Sequence, residues 1–234
     1  MKDINNFEDT LGIRFQNKKL LARALSHSSY ANEKGSVDAF SNERLEFLGD
    51  AVLGIIVAER IYRDHPENQE GSLTRMRVSV VRGDTLVKVA RSLNIGEYLR
   101  LGKGEAKSGG SNKPANLAGA LEAIIGAIYL DCGLLCVRDF VEKHFAKYIE
   151  MAWRASINID SKTRLQEYFQ AKGRGIPQYR LVNSHGPDHK KHFVAEVLLN
   201  DIVLACGHGL NKKEAQEAAA SAYLKSMDNQ QQKS

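Results

Sequence analysis

Residues 41–60 read SNERLEFLGDAVLGIIVAER, an amphipathic segment without proline. At about 100° of rotation per residue, a helix here places Glu43, Glu46 and Asp50 within an arc of roughly 60°. A separate apolar stripe, which would face a hydrophobic core, is formed by Leu45, Leu48, Val52 and Ile56. The pattern therefore predicts a core helix that carries three carboxylates on one face.

The three carboxylates have two interpretations. No basic residue follows at i+4 within the set, so on an exposed helix each pair would repel by about 0.2–0.5 kcal/mol. An ordinary solvated acidic surface is the first interpretation. The second is a site for a hard cation, because carboxylate oxygens are ligands that suit Mg²⁺. The spacing alone leaves both open.

A further acidic residue, Glu122, lies in an apolar stretch of the sequence. Residues 116–131 read NLAGALEAIIGAIYLD, which has the length and apolar periodicity of a buried helix, yet Glu122 lies in its middle. An isolated carboxylate in apolar surroundings is costly unless it is paired, protonated or bound to a metal. A cation held between the two helices would supply a partner, and so would a buried ion pair with Arg75 or Arg77.

Working outward, the pattern divides the chain into two domains. Residues 1–153 contain almost only helical periodicity and are predicted to be all-α. A polar linker is expected at 154–161, and a small α+β domain of order α-β-β-β-α at 162–228. Residues 229–234 are expected to form a disordered tail.

Composition narrows the class of protein. The chain is 43% hydrophobic and 26% charged, and its three cysteines form neither a disulfide framework nor a zinc-binding pattern. No apolar run reaches the ~18 residues of a membrane span, and the N-terminus lacks a signal-peptide core, so we expect a cytoplasmic protein without a membrane partner. Residues 151–234 contain 12 Lys and Arg against 8 Asp and Glu, which favours a polyanionic partner such as nucleic acid.

Several motifs together resemble the ribonuclease III family, whose members cut double-stranded RNA. They are NERLEFLGDAVLG at 42–54, ALSHSSYA near the start, EGSLTRMRVSVVRGDTL at 70–86, LGKGEAKSGG and LEAIIGAIYLD. The last 70 residues resemble the family's double-stranded RNA-binding domain. The resemblance implies a homodimer that hydrolyses RNA with Mg²⁺, which Mn²⁺ can replace. It also implies 5′-phosphate products with short 3′ overhangs, and a role in processing rRNA and mRNA precursors.

The resemblance also implies roles for individual residues. Glu46 would be a metal ligand, Asp50 would hold and orient the attacking water, and Glu122 would be both a metal ligand and part of the catalytic centre. Glu43 and Glu70 match acidic positions nearer the RNA. Phe47 matches an aromatic residue that packs across the dimer interface.

Position 119 departs from the family pattern, which usually has Asp three residues before the glutamate. Gly119 supplies no oxygen, and no acid at 115–121 replaces it. The change is either an inactivating substitution, a natural divergence with weaker metal affinity, or part of a small-residue stripe with Ala123 and Gly126. The alternative function is therefore a catalytically impaired or silent dimer that binds double-stranded RNA.

The second domain matches the family's RNA-contacting positions. Thr163, Gln166 and Glu167 would share one face of its first helix, with groups able to bond 2′-hydroxyls and base edges. The loop GPDHKKHF would enter a second minor groove with His189. At the start of the last helix, Lys212 and Lys213 would meet phosphates.

Three further residues have simpler expected roles. Asn211 suits a helix cap. Gln216 stands where a third lysine is frequent and so would remove one phosphate contact. His27 has no recognisable acid partner and is expected to cap or pack a helix.

Overall fold

A computed structural model describes residues 4–35, 41–185 and 191–231. The chain forms two units, Met1–Ala152 and Trp153–Ser234. The first is helical, and the second contains three antiparallel strands with helices, so the predicted fold class is confirmed. The predicted His189 contact lies outside the described residues.

The helices of the first unit are joined by short connections and two single 3₁₀ turns, at Ile95–Glu97 and Gly110–Asn112. Among the described residues they are α1 (Ile4–Leu11), α2 (Lys18–Ala24), α3 (Ser28–Glu33), α4 (Glu43–Asp64), α5 (Glu70–Val81), α6 (Gly83–Ser92), α7 (Lys103–Lys107) and the first part of α8 (Pro114–Ala171), whose last part belongs to the second unit. His27 caps α3 as expected, because its side chain accepts a hydrogen bond from the Ser29 amide at 3.2 Å.

The long helix α8 has a kink at Gly133, where φ is 81°. Its first part is the centre of the core: Leu121, Ile124, Ile125 and Ile128 are fully buried. After the kink the helix continues through 154–161, where the sequence predicted a polar linker. The segment is therefore helical, because no glycine or proline between 134 and 171 ends the helix.

Helices α4 and α8 approach each other so closely that their backbones touch. A Cβ atom at position 49 would overlap the Glu122 carbonyl oxygen and lie 2.9 Å from the Gly126 amide nitrogen. A Cβ at position 126 would in turn overlap the Leu45 carbonyl oxygen. Only glycine fits at these two positions, and their contact sets the acidic face of α4 beside Glu122.

The second unit packs one face of a three-stranded sheet against helices. Strands β1 (Gln178–His185), β2 (His192–Leu199) and β3 (Ile202–Gly209) form the sheet in that order. The β2–β3 turn has positive φ at both Asn200 and Asp201, as a two-residue hairpin requires. The core is built from Leu165, Phe169, Val197, Ala219 and Ala220.

The last helix, α9 (Lys212–Gln231), extends beyond its expected end. Residues 229–231 were expected to be disordered, but the helix includes them, because no Gly or Pro interrupts this segment.

Helix α8 is also the one helix in the described part of the chain that is long and apolar enough to cross a membrane by length and composition. The central helix of a soluble core passes the same test. The burial of Leu121, Ile124 and Ile128 inside the first unit agrees with a core helix.

The close α4–α8 contact predicts that adding one methyl group at the contact will strongly destabilise the protein. Gly126→Ala should lower the free energy of unfolding by about 3 kcal/mol or more, since the added Cβ meets backbone that cannot move aside. Urea unfolding measures the change.

Gly104→Ala is the matched control for that experiment. Position 104 is helical and has open space around an added Cβ, so stability should stay equal or rise by up to about 1 kcal/mol. Equal effects of the two substitutions would contradict the proposed close approach.

Candidate active site

The acidic face predicted on α4 exists, and Glu46 lies at its centre. Glu43 and Asp50 are exposed, whereas Glu46 is partly buried. Burial, followed by the charges of Glu43 and Asp50, raises the pKa of the Glu46 carboxyl. The Ser41 hydroxyl donates to Glu43 at 3.2 Å. The three carboxylates therefore act on one another, as the helical spacing predicted.

Glu122 joins this group from α8. Burial, together with the negative charges of Asp50 and Glu46, raises the pKa of Glu122 to about 7. A buried salt bridge to Arg75 or Arg77 would lower the pKa of Glu122, so the raised pKa disagrees with that alternative. Glu46, Asp50 and Glu122 thus form an acidic group whose members act on one another.

Gly119 lies directly beneath the Glu46 carboxylate. A Cβ atom at position 119 would lie 2.6 Å and 2.9 Å from the two Glu46 carboxylate oxygens. Unlike Gly49 and Gly126, Gly119 faces the end of a flexible side chain rather than backbone. Tight helix packing therefore does not require glycine at this position, and Glu46 occupies the space into which an aspartate would project.

The carboxylate oxygens of Glu46, Asp50 and Glu122 are suitable ligands for a hard cation, but they are not arranged tightly around one point. Carboxylate oxygens are the ligands that Mg²⁺ and Mn²⁺ prefer. Within residues 4–35, 41–185 and 191–231, however, no cluster of three or more His, Cys, Asp or Glu side chains is arranged to hold an ion as it stands. The direction in which Glu46 leans, toward Gly119, is consistent with this looser arrangement.

Glu70 is not electrostatically part of the central group. It begins α5, and its carboxylate accepts a hydrogen bond from the Thr74 hydroxyl at 2.7 Å. It does not contribute to the raised pKa of Glu46 or Glu122. The structure thus joins Glu43, Glu46, Asp50 and Glu122, and leaves Glu70 apart.

Phe47 is 80% exposed, although it lies in the most apolar part of the sequence. Ile55 and Tyr62 are also exposed, at 60% and 70%. With Ala51 they follow one side of α4 at intervals of four and seven residues, which defines an exposed apolar stripe. Large apolar stripes on a surface mark sites of protein association.

The second unit presents the predicted polar face on the end of α8. Thr163, Gln166 and Glu167 are exposed, while Leu165 and Phe169 on the opposite side are buried in the core. The helix therefore displays hydroxyl, amide and carboxylate groups together to solvent.

The start of α9 is capped as the sequence predicted. Asn211 accepts a hydrogen bond from the Glu214 amide at 2.9 Å, and Glu214 in return accepts from the Leu210 amide at 2.9 Å. Lys212 and Lys213 are both exposed at this positively polarised helix end. Lys213 also lies 3.9 Å from Glu217.

Lys162 was missed by sequence reasoning. Its ammonium donates to the Gln216 amide oxygen at 2.9 Å and lies 4.2 Å from the centre of the Tyr179 ring. Gln216, expected only to remove a phosphate contact, instead holds this lysine beside the base of α9. The pair is 54 residues apart in sequence, so no local pattern indicates it.

Fold and site together define a class of protein: a helical nuclease-type domain with an acidic centre, followed by a small α-β-β-β-α domain with a basic helix start. Comparison with known families agrees with both parts. Residues 17–149 match the model described as "Ribonuclease-III-like", and residues 161–227 match the "Double-stranded RNA binding motif".

Individual relatives and solved structures are similar over long stretches. Ribonuclease 3 of Dehalococcoides mccartyi is 48% identical over 98% of this chain and 97% of its own length. Ribonuclease 3 of Syntrophotalea carbinolica is 42% identical over 94% and 95%. The nuclease domain of ribonuclease III from Campylobacter jejuni superposes with a TM-score of 0.57 at 38% identity, covering 62% of this chain and 99% of that domain.

The chain belongs to the ribonuclease III family, and the class of its activity is endonucleolytic cleavage of double-stranded RNA.

The pKa of Glu122 predicts how stability depends on pH in the absence of metal. An unfolded glutamate titrates near pH ~4.3, whereas folded Glu122 titrates at about 7. The folded state keeps a proton that the unfolded state releases, so this contribution is favourable at low pH and is lost as the pH rises toward 7. Glu122→Gln removes the loss and should stabilise the EDTA-treated protein at pH 8 by about 1–2 kcal/mol, after allowance for solvent screening.

The difference between the two proteins should disappear below pH ~4.3, where both states of the wild-type chain are protonated at this group. Urea unfolding across this pH range measures it. Glu67→Gln, at an exposed position, is the control and should change stability little at any pH. A destabilising Glu122→Gln at pH 8 would show that the carboxylate has a stabilising partner.

Proposed function

We propose that this enzyme cleaves duplex RNA with Mg²⁺, which Mn²⁺ can replace, held by Glu46 and Glu122. The observation that carries the proposal is the acidic group of Glu46, Asp50 and Glu122, in which burial and neighbouring negative charges raise the pKa of Glu46 and of Glu122. Repulsion among neighbouring carboxylates is tolerated in a protein where a bound cation offsets it. The donor atoms are of the type that Mg²⁺ prefers.

A bound divalent cation would acidify a water molecule and neutralise charge on the phosphodiester. The chain's own groups have complementary tasks. Exposed Asp50 accepts a hydrogen bond from the attacking water and orients it. Glu122, whose pKa is near 7, must lose its proton before it can act as a ligand. Hydrolysis in this manner yields 5′-phosphate ends, and cleavage of both strands by two such sites yields short 3′ overhangs.

Gly119 makes the metal affinity of this site weaker than that of a site with aspartate. The Glu46 carboxylate occupies the space between α4 and residue 119. The site therefore has one carboxylate there, whereas a site with aspartate at 119 would have two. A second function, a dimer that binds duplex RNA with little or no cleavage, is favoured by this same observation. Rate of cleavage as a function of metal concentration separates the two.

Gly119→Asp should lower the metal concentration needed for half-maximal cleavage of a long RNA duplex by about tenfold or more, since one added ligand worth ~1.4 kcal/mol suffices. The Glu46 carboxylate must rotate aside, which a flexible side chain can do. Cleavage is measured on labelled duplex across Mg²⁺ and Mn²⁺ series.

Gly119→Asn is the matched control, because it adds nearly the same volume without a charge. It should not lower the metal requirement. Fast cleavage by the wild-type chain at low metal, equal to that of Gly119→Asp, would contradict a role for position 119. Cleavage by neither protein would favour the silent RNA-binding dimer.

The active protein is proposed to be a homodimer formed through the exposed stripe of Phe47, Ala51, Ile55 and Tyr62. These side chains lie on α4 beside the acidic face, and leaving them in water is unfavourable at about 25 cal/mol per Å² of apolar surface. A related nuclease-domain structure from Campylobacter jejuni is described in terms of a region involved in dimer formation.

Phe47→Asp should convert the dimer to a monomer at micromolar concentration, because it places a charge in the proposed apolar contact. Sedimentation velocity measures the change. Ile176→Asp, at an apolar position that is also exposed but lies in the second unit, is the control and should leave the dimer intact. A dimer in both variants would exclude the Phe47 stripe as its interface.

The natural substrates are proposed to be structured precursors of rRNA and mRNA in the cytoplasm. The exposed group of Thr163, Gln166 and Glu167 and the lysine pair at α9 support recognition by shape, since they suit 2′-hydroxyls and phosphates of A-form duplexes rather than particular bases.

A further inference from the structure

Lys162 lies where three elements of the second unit meet. It belongs to the last part of α8, and its ammonium donates to the Gln216 amide oxygen of α9 at 2.9 Å. The same ammonium lies 4.2 Å from the centre of the Tyr179 ring of β1, within the range of a cation–π contact. One side chain therefore joins the two helical segments of this unit to its sheet.

The contact is partly removed from water. Tyr179 packs against the core of the second unit, and its ring covers one side of the ammonium. Burial lowers the pKa of the Lys162 ammonium from its ordinary value. A hydrogen bond from a charged donor is stronger than one between neutral groups, and partial exclusion of water strengthens it further. The Lys162–Gln216 hydrogen bond is therefore suited to holding the two helical segments at one separation.

A buried carboxylate extends this contact toward the start of α9. Glu217, which follows Gln216, is buried, and its carboxylate lies 3.9 Å from the Lys213 ammonium. Burial raises the pKa of Glu217, whereas the positive charges of Lys213 and Lys162 lower it. Both ammonium groups thus act on the same carboxylate, so Lys162 is linked to Lys213 electrostatically.

These contacts adjoin the two groups that are expected to meet RNA. Thr163 directly follows Lys162 and begins the exposed polar face, and Lys213 lies about one turn before Gln216. The polar face suits the 2′-hydroxyls of a minor groove, and the lysines suit phosphates. Because an A-form duplex presents these groups at a fixed separation, the two helical segments must be held at a matching distance.

We propose that Lys162 is a positioning residue for duplex RNA. By holding Gln216 and the Tyr179 ring, it fixes the separation between the exposed polar face of α8 and the lysine pair of α9 at the value that an A-form duplex requires. It acts through those groups and makes no phosphate contact of its own, since its ammonium is directed at Gln216 and Tyr179. The proposal rests on the binding of duplex RNA by the second unit and is independent of the metal.

Lys162→Met tests the proposal in the full-length protein, because it removes the ammonium and keeps most of the side-chain volume. Binding to an RNA duplex and to a DNA duplex of the same sequence is measured by fluorescence anisotropy in EDTA over a salt series. Affinity for RNA should fall by about tenfold or more, which corresponds to ~1.4 kcal/mol. The slope of log K against log salt should stay unchanged, since no phosphate contact is lost.

Affinity for DNA should fall less, because a B-form duplex does not match the separation that Lys162 maintains. The preference for RNA over DNA should therefore decrease. A slope reduced by about 1 would indicate a direct phosphate contact and would overturn the proposal. Unchanged affinity for RNA would overturn it as well.

Substitutions at Gln216 test whether Lys162 acts through this partner. Gln216→Leu removes the acceptor and should weaken RNA binding as Lys162→Met does, while the double variant should be no weaker than the single ones. Gln216→Glu keeps an acceptor for the ammonium and should retain the affinity of the wild-type chain. Losses that multiply in the double variant would show independent roles and would contradict positioning through Gln216.

Lys172→Met is the matched control. Lys172 lies just beyond the end of α8, and its ammonium is 4.5 Å from the centre of the Tyr168 ring, so a similar cation–π contact is lost without a link to α9. This variant should keep the preference for RNA. Equal losses of preference in Lys162→Met and Lys172→Met would overturn the proposal, because they would indicate a general charge effect.

Folding and the function of the second unit are checked separately. Circular dichroism at the assay temperature shows whether each variant is folded, and if Lys162→Met is not, Gln216→Leu and Gln216→Glu serve as the test. A wild-type chain that does not bind duplex RNA would contradict the function of the second unit itself. A wild-type chain that binds, with variants that bind equally well, would overturn only the role of Lys162.

Discussion

The contact between the backbones of α4 and α8 is the constraint on which the nuclease unit depends. Glycines at 49 and 126 allow the two helices to touch without side chains between them. At any larger separation, Glu122 would lie farther from Glu46 and Asp50. Close packing therefore produces the electrostatic problem of the site, because it gathers three carboxylates of like charge at a partly buried location.

The repulsion among the carboxylates affects each of them differently. Asp50 is exposed and keeps access to water, whereas Glu122 holds its proton up to a pH of about 7 because burial and two neighbouring charges oppose ionisation. The Glu46 carboxylate lies over Gly119, where an added Cβ atom would come within 2.6 Å of it. A glycine at 119 thus relieves crowding in the metal-free protein at the expense of a ligand. If Gly119 weakens cation binding as proposed, the same residue also lowers the cost of assembling the site without metal.

The sequence was most informative where periodicity determines position. The arc of Glu43, Glu46 and Asp50, the apolar face of α4 and the order of the second unit all follow from helix and strand geometry. Composition indicated a linker at 154–161 without indicating its conformation, which is helical because the segment has no Gly or Pro. The position of the Glu46 carboxylate over Gly119 and the Lys162–Gln216 contact depend on side chains from separate segments, so no local pattern could predict them.

An acidic centre presents a difficulty for an enzyme that acts on a polyanion. Without cations nearby, the four carboxylates of the centre would repel the phosphates that must approach them. Under the proposed function, a bound cation would offset that repulsion at the acidic centre itself. The exposed Lys212 and Lys213 at the start of α9 would attract phosphates at any metal concentration. Association with duplex RNA would therefore need only the second unit, whereas cleavage would also need the cation.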